Sequence, residues 1–127
     1  MDPKTLLYTE SHEWVEASGD EVAVGISDHA QQMLGDIVYV EFPDVGTTVE
    51  KGEEILTIES PKAAASVYAP ISGEITAINE DLEGSPETIN ASPYSDGWIV
   101  KIKPSNLDEE KSALMDIEAY EQKVNEE

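Results

Sequence analysis

The spacing of the apolar residues, more than their number, limits what this chain can fold into. Val22, Val24 and Ile26 alternate with Ala23 and Gly25, the period of a strand. Val38 and Val40 alternate with Ile37 and Tyr39, which predicts a strand covered on both faces. Ile55-Leu56-Thr57-Ile58, Ile75-Thr76-Ala77-Ile78 and Trp98-Ile99-Val100-Lys101-Ile102 are short runs rich in β-branched residues. Turn formers bound them: Ser18-Gly19-Asp20, Pro43-Asp44-Val45-Gly46, Ser60-Pro61-Lys62, Pro70-Ile71-Ser72-Gly73 and Ser95-Asp96-Gly97. Many short strands at near-regular spacing predict an all-β sandwich or small barrel. Leu, Ile, Val and Phe supply only 29 of the 127 residues, near the level at which a highly charged chain stays disordered. The strand pattern decides for a folded chain.

Helices interrupt the strands. Ser27 is placed to N-cap a helix over 28–34, with Asp28 in its first turn and Gly35 at its stop. Asn106-Leu107-Asp108-Glu109 reads as a capping-box-like start of a second. Asp116 can cap a third, in which Ile117, Tyr120 and Val124 form one apolar stripe expected to dock the C-terminal helix on the barrel. A weak repeat relates Gly35-Asp36-Ile37-Val38-Tyr39-Val40 to Gly73-Glu74-Ile75-Thr76-Ala77-Ile78, the signature of two similar half-sheets.

Charge narrows the function. Twenty-eight Asp and Glu face seven Lys and no Arg, giving a formal net charge of −21. Phosphate binding needs clustered cations, so nucleic acid is not an expected partner, and an anionic membrane surface repels such a chain. Self-repulsion favours a monomer. Without cysteine, disulfides, thiolate metal sites and Cys catalysis are excluded. No apolar run approaches membrane-spanning length. Met1-Asp2-Pro3-Lys4 has neither a signal-peptide apolar stretch nor a transit-peptide bias. The expectation is therefore a prokaryotic cytoplasmic protein, or a mitochondrial-matrix one if it is a processed eukaryotic chain.

Catalytic patterns are missing. His12 and His29 lack the spaced partners of a metal site, and His29 reads as a surface residue. No Gly-x-Ser-x-Gly elbow, Gly-x-Gly-x-x-Gly turn, P-loop or Ca²⁺ loop occurs. The chain is expected to be no enzyme and to hold no metal. One cation stands out by context. Lys62 follows Glu59-Ser60-Pro61 between two expected strands, and Pro61 suits the second position of a β-turn, leaving Lys62 at the tip. By position alone an ordinary exposed lysine is the simpler reading. The sharper one is a site acylated to carry a cofactor.

Ordered motifs along nearly the whole chain bear on that choice. They are Tyr8-Thr9-Glu10-Ser11-His12-Glu13-Trp14-Val15, Val24-Gly25-Ile26-Ser27-Asp28-His29-Ala30-Gln31 and Leu34-Gly35-Asp36-Ile37-Val38-Tyr39-Val40-Glu41. Glu59-Ser60-Pro61-Lys62-Ala63-Ala64, Tyr68-Ala69-Pro70-Ile71-Ser72-Gly73-Glu74, Ile89-Asn90 and Pro93-Tyr94-Ser95-Asp96-Gly97-Trp98 follow. In these the chain resembles the H-protein family of the glycine cleavage system, which are lipoyl carriers. It departs from the family's usual pattern at Pro61, where a β-branched residue is common, and at Ala65-Ser66, where a Ser-acid pair is common.

The resemblance implies a mainly β fold, the lipoyl/biotinyl-type barrel-sandwich hybrid. This is a flattened β-barrel of two antiparallel sheets with short flanking helices. Residues 1–127 would form one carrier domain with a C-terminal helical extension from about 105. Lys62 would carry (R)-lipoate in amide linkage. The arm would take the aminomethyl group of glycine from a pyridoxal-phosphate glycine decarboxylase to a tetrahydrofolate-dependent aminomethyltransferase. A flavin (FAD) dihydrolipoyl dehydrogenase would then reoxidise it, and a lipoyl ligase or transferase would install it. By the same resemblance Ser11 and Glu13 would contact the loaded arm, with His12 either helping or packing beside Trp14. Glu59 would be read by the ligase, and Trp98 is expected in the core. Two other roles fit the same residues, a lipoate relay and an unmodified paralogue acting as an acidic interaction module.

Overall fold

The computed structural model describes residues 5–18 and 20–126; Met1, Asp2, Pro3, Lys4, Glu127 and Gly19 at the centre of the Ser18-Gly19-Asp20 turn lie outside the described residues. Among the described residues the strands form two antiparallel sheets. The larger holds β1 (Leu7–Tyr8), β2 (Glu13–Ser18), β3 (Glu21–Ile26), β5 (Thr48–Val49), β8 (Gly73–Ile78) and β9 (Val100–Pro104), in the order β1-β2-β3-β9-β8-β5. The smaller holds β4 (Tyr39–Glu41), β6 (Glu54–Glu59) and β7 (Ala64–Tyr68), in the order β4-β6-β7. The barrel-sandwich expectation is met.

Alternation explains how one sheet serves two cores. On β2 and β3, Val15, Val22 and Val24 face the smaller sheet and join Val40, Leu56, Ile58 and Val67 in the main core. Trp14 and Ala23 point the other way, into a second cluster with Leu6, Tyr8 and Tyr120. Strands covered on both sides are why the large residues here are almost all apolar. Gly25 lies directly opposite Trp14 in the β2–β3 ladder, and a Cβ on it would stand 2.5 Å from the indole. Register irregularities in β6–β7 and in β8–β9 bend the two ladders.

The helices are α1 (Asp28–Leu34), α2 (Asp81–Gly84), α3 (Thr88–Ala91), α4 (Leu107–Lys111) and α5 (Ile117–Glu126). The expected bounds of α1 hold: the Ser27 hydroxyl accepts from the Ala30 N–H, and Gly35 ends it at φ +77°. The stripe on α5 docks as expected, with Tyr120 buried and Ile117 and Val124 packed beside it. Asp116 caps that helix, its Oδ1 accepting from the Ala119 N–H at 2.9 Å. At α4 the start is right and its chemistry different, because the Asn106 amide donates to the Glu109 carboxylate instead of the two exchanging backbone caps.

Three expectations are corrected. Only Ile37 and Val40 of the 37–40 run are buried, whereas Val38 and Tyr39 are more than half exposed. The Asn90 side chain takes the Ile37 N–H, so β4 starts later and stays on an edge. The last strand likewise begins at Val100, leaving Trp98 in front of it, half-buried and packed against the second cluster with the Lys101 ammonium over its ring. The repeat falls on unlike elements, since β4 belongs to a three-stranded sheet and β8 to a six-stranded one.

Candidate functional site

The site begins at the connection between β6 and β7. The Ser60 N–H donates to the Ala63 carbonyl at 2.8 Å and the Ala63 N–H returns a bond at 3.3 Å, closing a two-residue loop of Pro61 and Lys62. The Ser60 hydroxyl lies 3.2 Å from the carbonyl oxygen and from the amide nitrogen of Ala63. Pro61, Lys62, Ala63 and Ala64 are all exposed. Lys62 therefore sits on a stiff backbone with an exposed side chain. Its stem runs toward the end of α1, where a Cβ on Gly35 would lie 3.4 Å from Lys62 Cε. Glu59, at the end of β6, is exposed three residues before it.

Beside this hairpin a cleft of about 220 Å³ opens between α1 and the smaller sheet. Ala30, Met33 and Leu34 of α1 form one wall, and Ala63, Ala65, Ser66 and Val67 form the other. Its far end is closed by Ser11, His12 and Glu13. The turn leading there is unusual. His12 is the sole non-glycine among the described residues with positive φ, at 72°, a conformation disfavoured for its side chain.

Glu13 is almost wholly buried, at 1% exposure. A carboxylate so placed needs hydrogen bonds, and it has them. Thr9 and Ser11 donate hydroxyl bonds to its Oε1 at 2.5 and 2.7 Å, and the Tyr68 N–H reaches Oε2 at 3.3 Å. Burial pushes the Glu13 carboxyl above its ordinary value, while these donors pull it back. A cationic amine arriving along the cleft would meet a buried carboxylate and the Ser11 oxygen, both acceptors.

The structure brings Ser11 and Glu13 together at one end of the cleft and Lys62 to the other. Glu59 stays outside, on the hairpin's flank. His12, expected either to help hold the arm or to pack beside Trp14, bonds to a residue of the cluster that holds Trp14. Its Nδ1 is 2.7 Å from the Tyr120 hydroxyl, and its ring is 5.0 Å from that of His29. His29 accordingly is half-buried and not a plain surface residue. The sequence reading missed the α1 wall and Ser66, because lining residues three to four apart on a short helix look like ordinary core. No set of three or more His, Cys, Asp or Glu able to hold a metal occurs among the described residues. No described helix is long and apolar enough to cross a membrane.

A lysine on a hairpin tip of a two-sheet barrel, with an arm-sized apolar cleft at its side, defines a cofactor-carrying protein. Known proteins make the class specific. The glycine cleavage H-protein family model matches residues 6–127. A glycine cleavage system H protein of Pseudoalteromonas atlantica is 54% identical over 126 residues, 98% of this chain and 97% of that one. The H protein of Sodalis glossinidius is 52% identical over 98% of this chain and 95% of its own. The crystal structure of an H protein from Mycobacterium marinum superposes with a TM-score of 0.88 at 35% identity, covering 98% of this chain and 99% of that one. The chain belongs to the glycine cleavage H-protein family. It is a non-catalytic lipoyl carrier of the glycine cleavage system.

Proposed function

We propose that Lys62 is the residue that bears the lipoyl group, in amide linkage, and that residues 1–127 act as one carrier domain with α4 and α5 as its extension. The observation that carries this is the Lys62 hairpin opening onto an apolar cleft that ends at the buried Glu13. When bound, lipoate supplies a disulfide that takes up the aminomethyl group of glycine and a dithiol that is later reoxidised. The residues of the chain fit that group. The cleft walls are mainly apolar carbon, suited to an alkyl arm, and the Lys62 stem already leans toward them over Gly35.

This chain's own groups then divide the work. The closed two-residue loop presents Lys62 at the surface, so that one tethered arm reaches several active sites without dissociating. The α1 and β7 walls exclude water from the arm at rest. Glu13 and Ser11 hold the cationic amine of the cargo, and Thr9 and the Tyr68 N–H keep the Glu13 carboxylate aimed. Glu59 offers the charge read by the lipoyl ligase or transferase. The arm serves a pyridoxal-phosphate glycine decarboxylase, a tetrahydrofolate-dependent aminomethyltransferase and an FAD dihydrolipoyl dehydrogenase in turn. Bacterial relatives at 52 to 54% identity support a prokaryotic cytoplasmic setting, and self-repulsion at a net charge of −21 favours a monomer.

Intact-mass and peptide analysis of protein taken from its host provides the test. A lipoyl increment confined to the peptide holding Lys62, with glycine-dependent bicarbonate exchange in the presence of the decarboxylase, is expected. An unmodified Lys62, or an increment on another lysine, overturns the assignment.

A further inference from the structure

We propose that Tyr120, on the C-terminal helix, is a positioning residue that sets the α1 wall and the closed end of the arm cleft through a single hydroxyl. The inference rests on the reading of that cleft as the resting place of the Lys62 arm.

Tyr120 does not line the cleft, yet it holds the two parts that do. Its hydroxyl is 2.7 Å from His12 Nδ1 and 2.6 Å from Ser27 Oγ. A phenol has one proton to give and lone pairs to accept with, so it can join both at once. On the Ser27 side the bond reaches α1. Ser27 Oγ is the helix N-cap, accepting from Ala30 N at 3.2 Å, and Ala30 is the first residue of the α1 wall. On the His12 side it reaches the end wall. His12 stands between Ser11 and Glu13 at positive φ, a conformation that persists only where surroundings over-determine it. The ring bond to Tyr120 supplies one constraint, and the Ser27 N–H to the His12 carbonyl at 2.9 Å supplies another. With His12 so held, the Ser11 hydroxyl is aimed at Glu13.

The third element is itself fixed. Tyr120 is 3% exposed and its ring stacks on that of Tyr8, with centroids 4.5 Å apart and planes 11° from parallel. Tyr8 is in turn bonded to Met115 in both directions, just before α5. The ring therefore anchors α5 to β1, and the hydroxyl transmits that placement to the cleft. Packing alone needs only the ring. The hydroxyl is what a positioning role requires.

Tyr120→Phe separates the two, since it keeps the ring on Tyr8 and removes both bonds. In the chain without lipoate, amide hydrogen exchange should quicken about three- to tenfold at Glu13, Ser27 and Ala30, the factor that one or two neutral hydrogen bonds represent. The ladder amides of β8 and β9 should not change. His12→Asn cuts the link from the other end with a side chain that tolerates positive φ. It should loosen Glu13 and leave Ala30 as it was, which keeps the test open if the first variant folds poorly. In lipoylated protein carrying the aminomethyl group, with no aminomethyltransferase present, Tyr120→Phe should release ammonia about three- to tenfold faster than wild type.

Exchange that rises uniformly through the core, or not at all at these amides, overturns the proposal. So does wild-type ammonia release from the loaded variant. A wild-type chain that accepts no lipoate sinks the carrier reading instead, and the exchange of the unmodified chain still decides what Tyr120 does.

Discussion

The hairpin that presents Lys62 and the turn that ends in Glu13 lie at opposite ends of one cleft and are built in opposite ways. The hairpin is short and exposed, and Ser60 and Ala63 close it on each other. No hydrogen bond with another of the described residues fixes the Lys62 amine. The Thr9–Glu13 turn is tied down from every side. Glu13 is buried and takes three donors, His12 is strained, and Ser27 before α1, Tyr120 of α5 and Tyr68 of β7 all bond into it. A group that must leave the surface to be used gains from few contacts. A group that must meet a cation in the same orientation each time gains from many. Changes at the first end should alter function and spare the fold, and changes at the second should alter both.

Lys62→Arg is the strongest test of that contrast. Arginine keeps the charge and offers no amine for acylation, so carrier turnover should vanish in glycine–bicarbonate exchange. Its unfolding free energy should stay within about 0.5 kcal/mol of wild type, because the side chain is exposed. A large loss of stability would mean that the hairpin is part of the packed body after all. Gly25→Ala probes the buried side. Its new methyl would sit 2.5 Å from the Trp14 indole, behind the Ser11–Glu13 turn. Denaturant unfolding should show a loss of about 1–3 kcal/mol, typical of overpacking.

Glu13→Gln should give a smaller effect with a pH signature. Burial raises the Glu13 carboxyl above 4.5, its ordinary value. Below that value the folded and unfolded chains both hold the proton. As pH rises the unfolded chain ionises first, so folding stability falls until the folded carboxyl ionises as well. Glutamine does not titrate. Relative to wild type, the variant should gain stability as pH rises above the ordinary value of 4.5, read from thermal midpoints at low ionic strength. A flat difference would show that the hydrogen-bond donors fully offset the burial.

What was legible in the sequence follows the same division. The Pro61-Lys62 turn, the Ser27 cap, the Gly35 stop and the stripe on α5 were all readable, because each depends on residues within about two helical turns of one another. The closing wall was not. The His12–Tyr120 bond spans 108 residues and the Ser27–Tyr120 bond 93, so no local pattern records them. Tyr120 was visible only as an apolar position, and its hydroxyl acquires meaning from the packing of α5. Tyr39 failed for a related reason. Alternation placed it on a covered face, whereas the Asn90 side chain, 53 residues from Ile37, sets where β4 begins. The motifs shared with the H-protein family marked Ser11 and Glu13, but burial of the carboxylate came from the fold.

Pro61→Ala should have the smallest effect, and its size says what holds the hairpin. If the pyrrolidine ring alone set the turn, alanine would free the loop and Lys62 would be lipoylated more slowly. Two backbone bonds and the Ser60 hydroxyl already close it, however, and none of them involves Pro61. The ring then acts mainly by restricting the unfolded chain, which is worth about 0.4–1 kcal/mol. Thermal unfolding should register that small loss, and the rate of lipoyl transfer to Lys62 should stay near wild type. Slow transfer at unchanged stability would reverse the assignment of causes. It would make Pro61 a presenting residue in its own right and leave the hairpin hydrogen bonds as a secondary support.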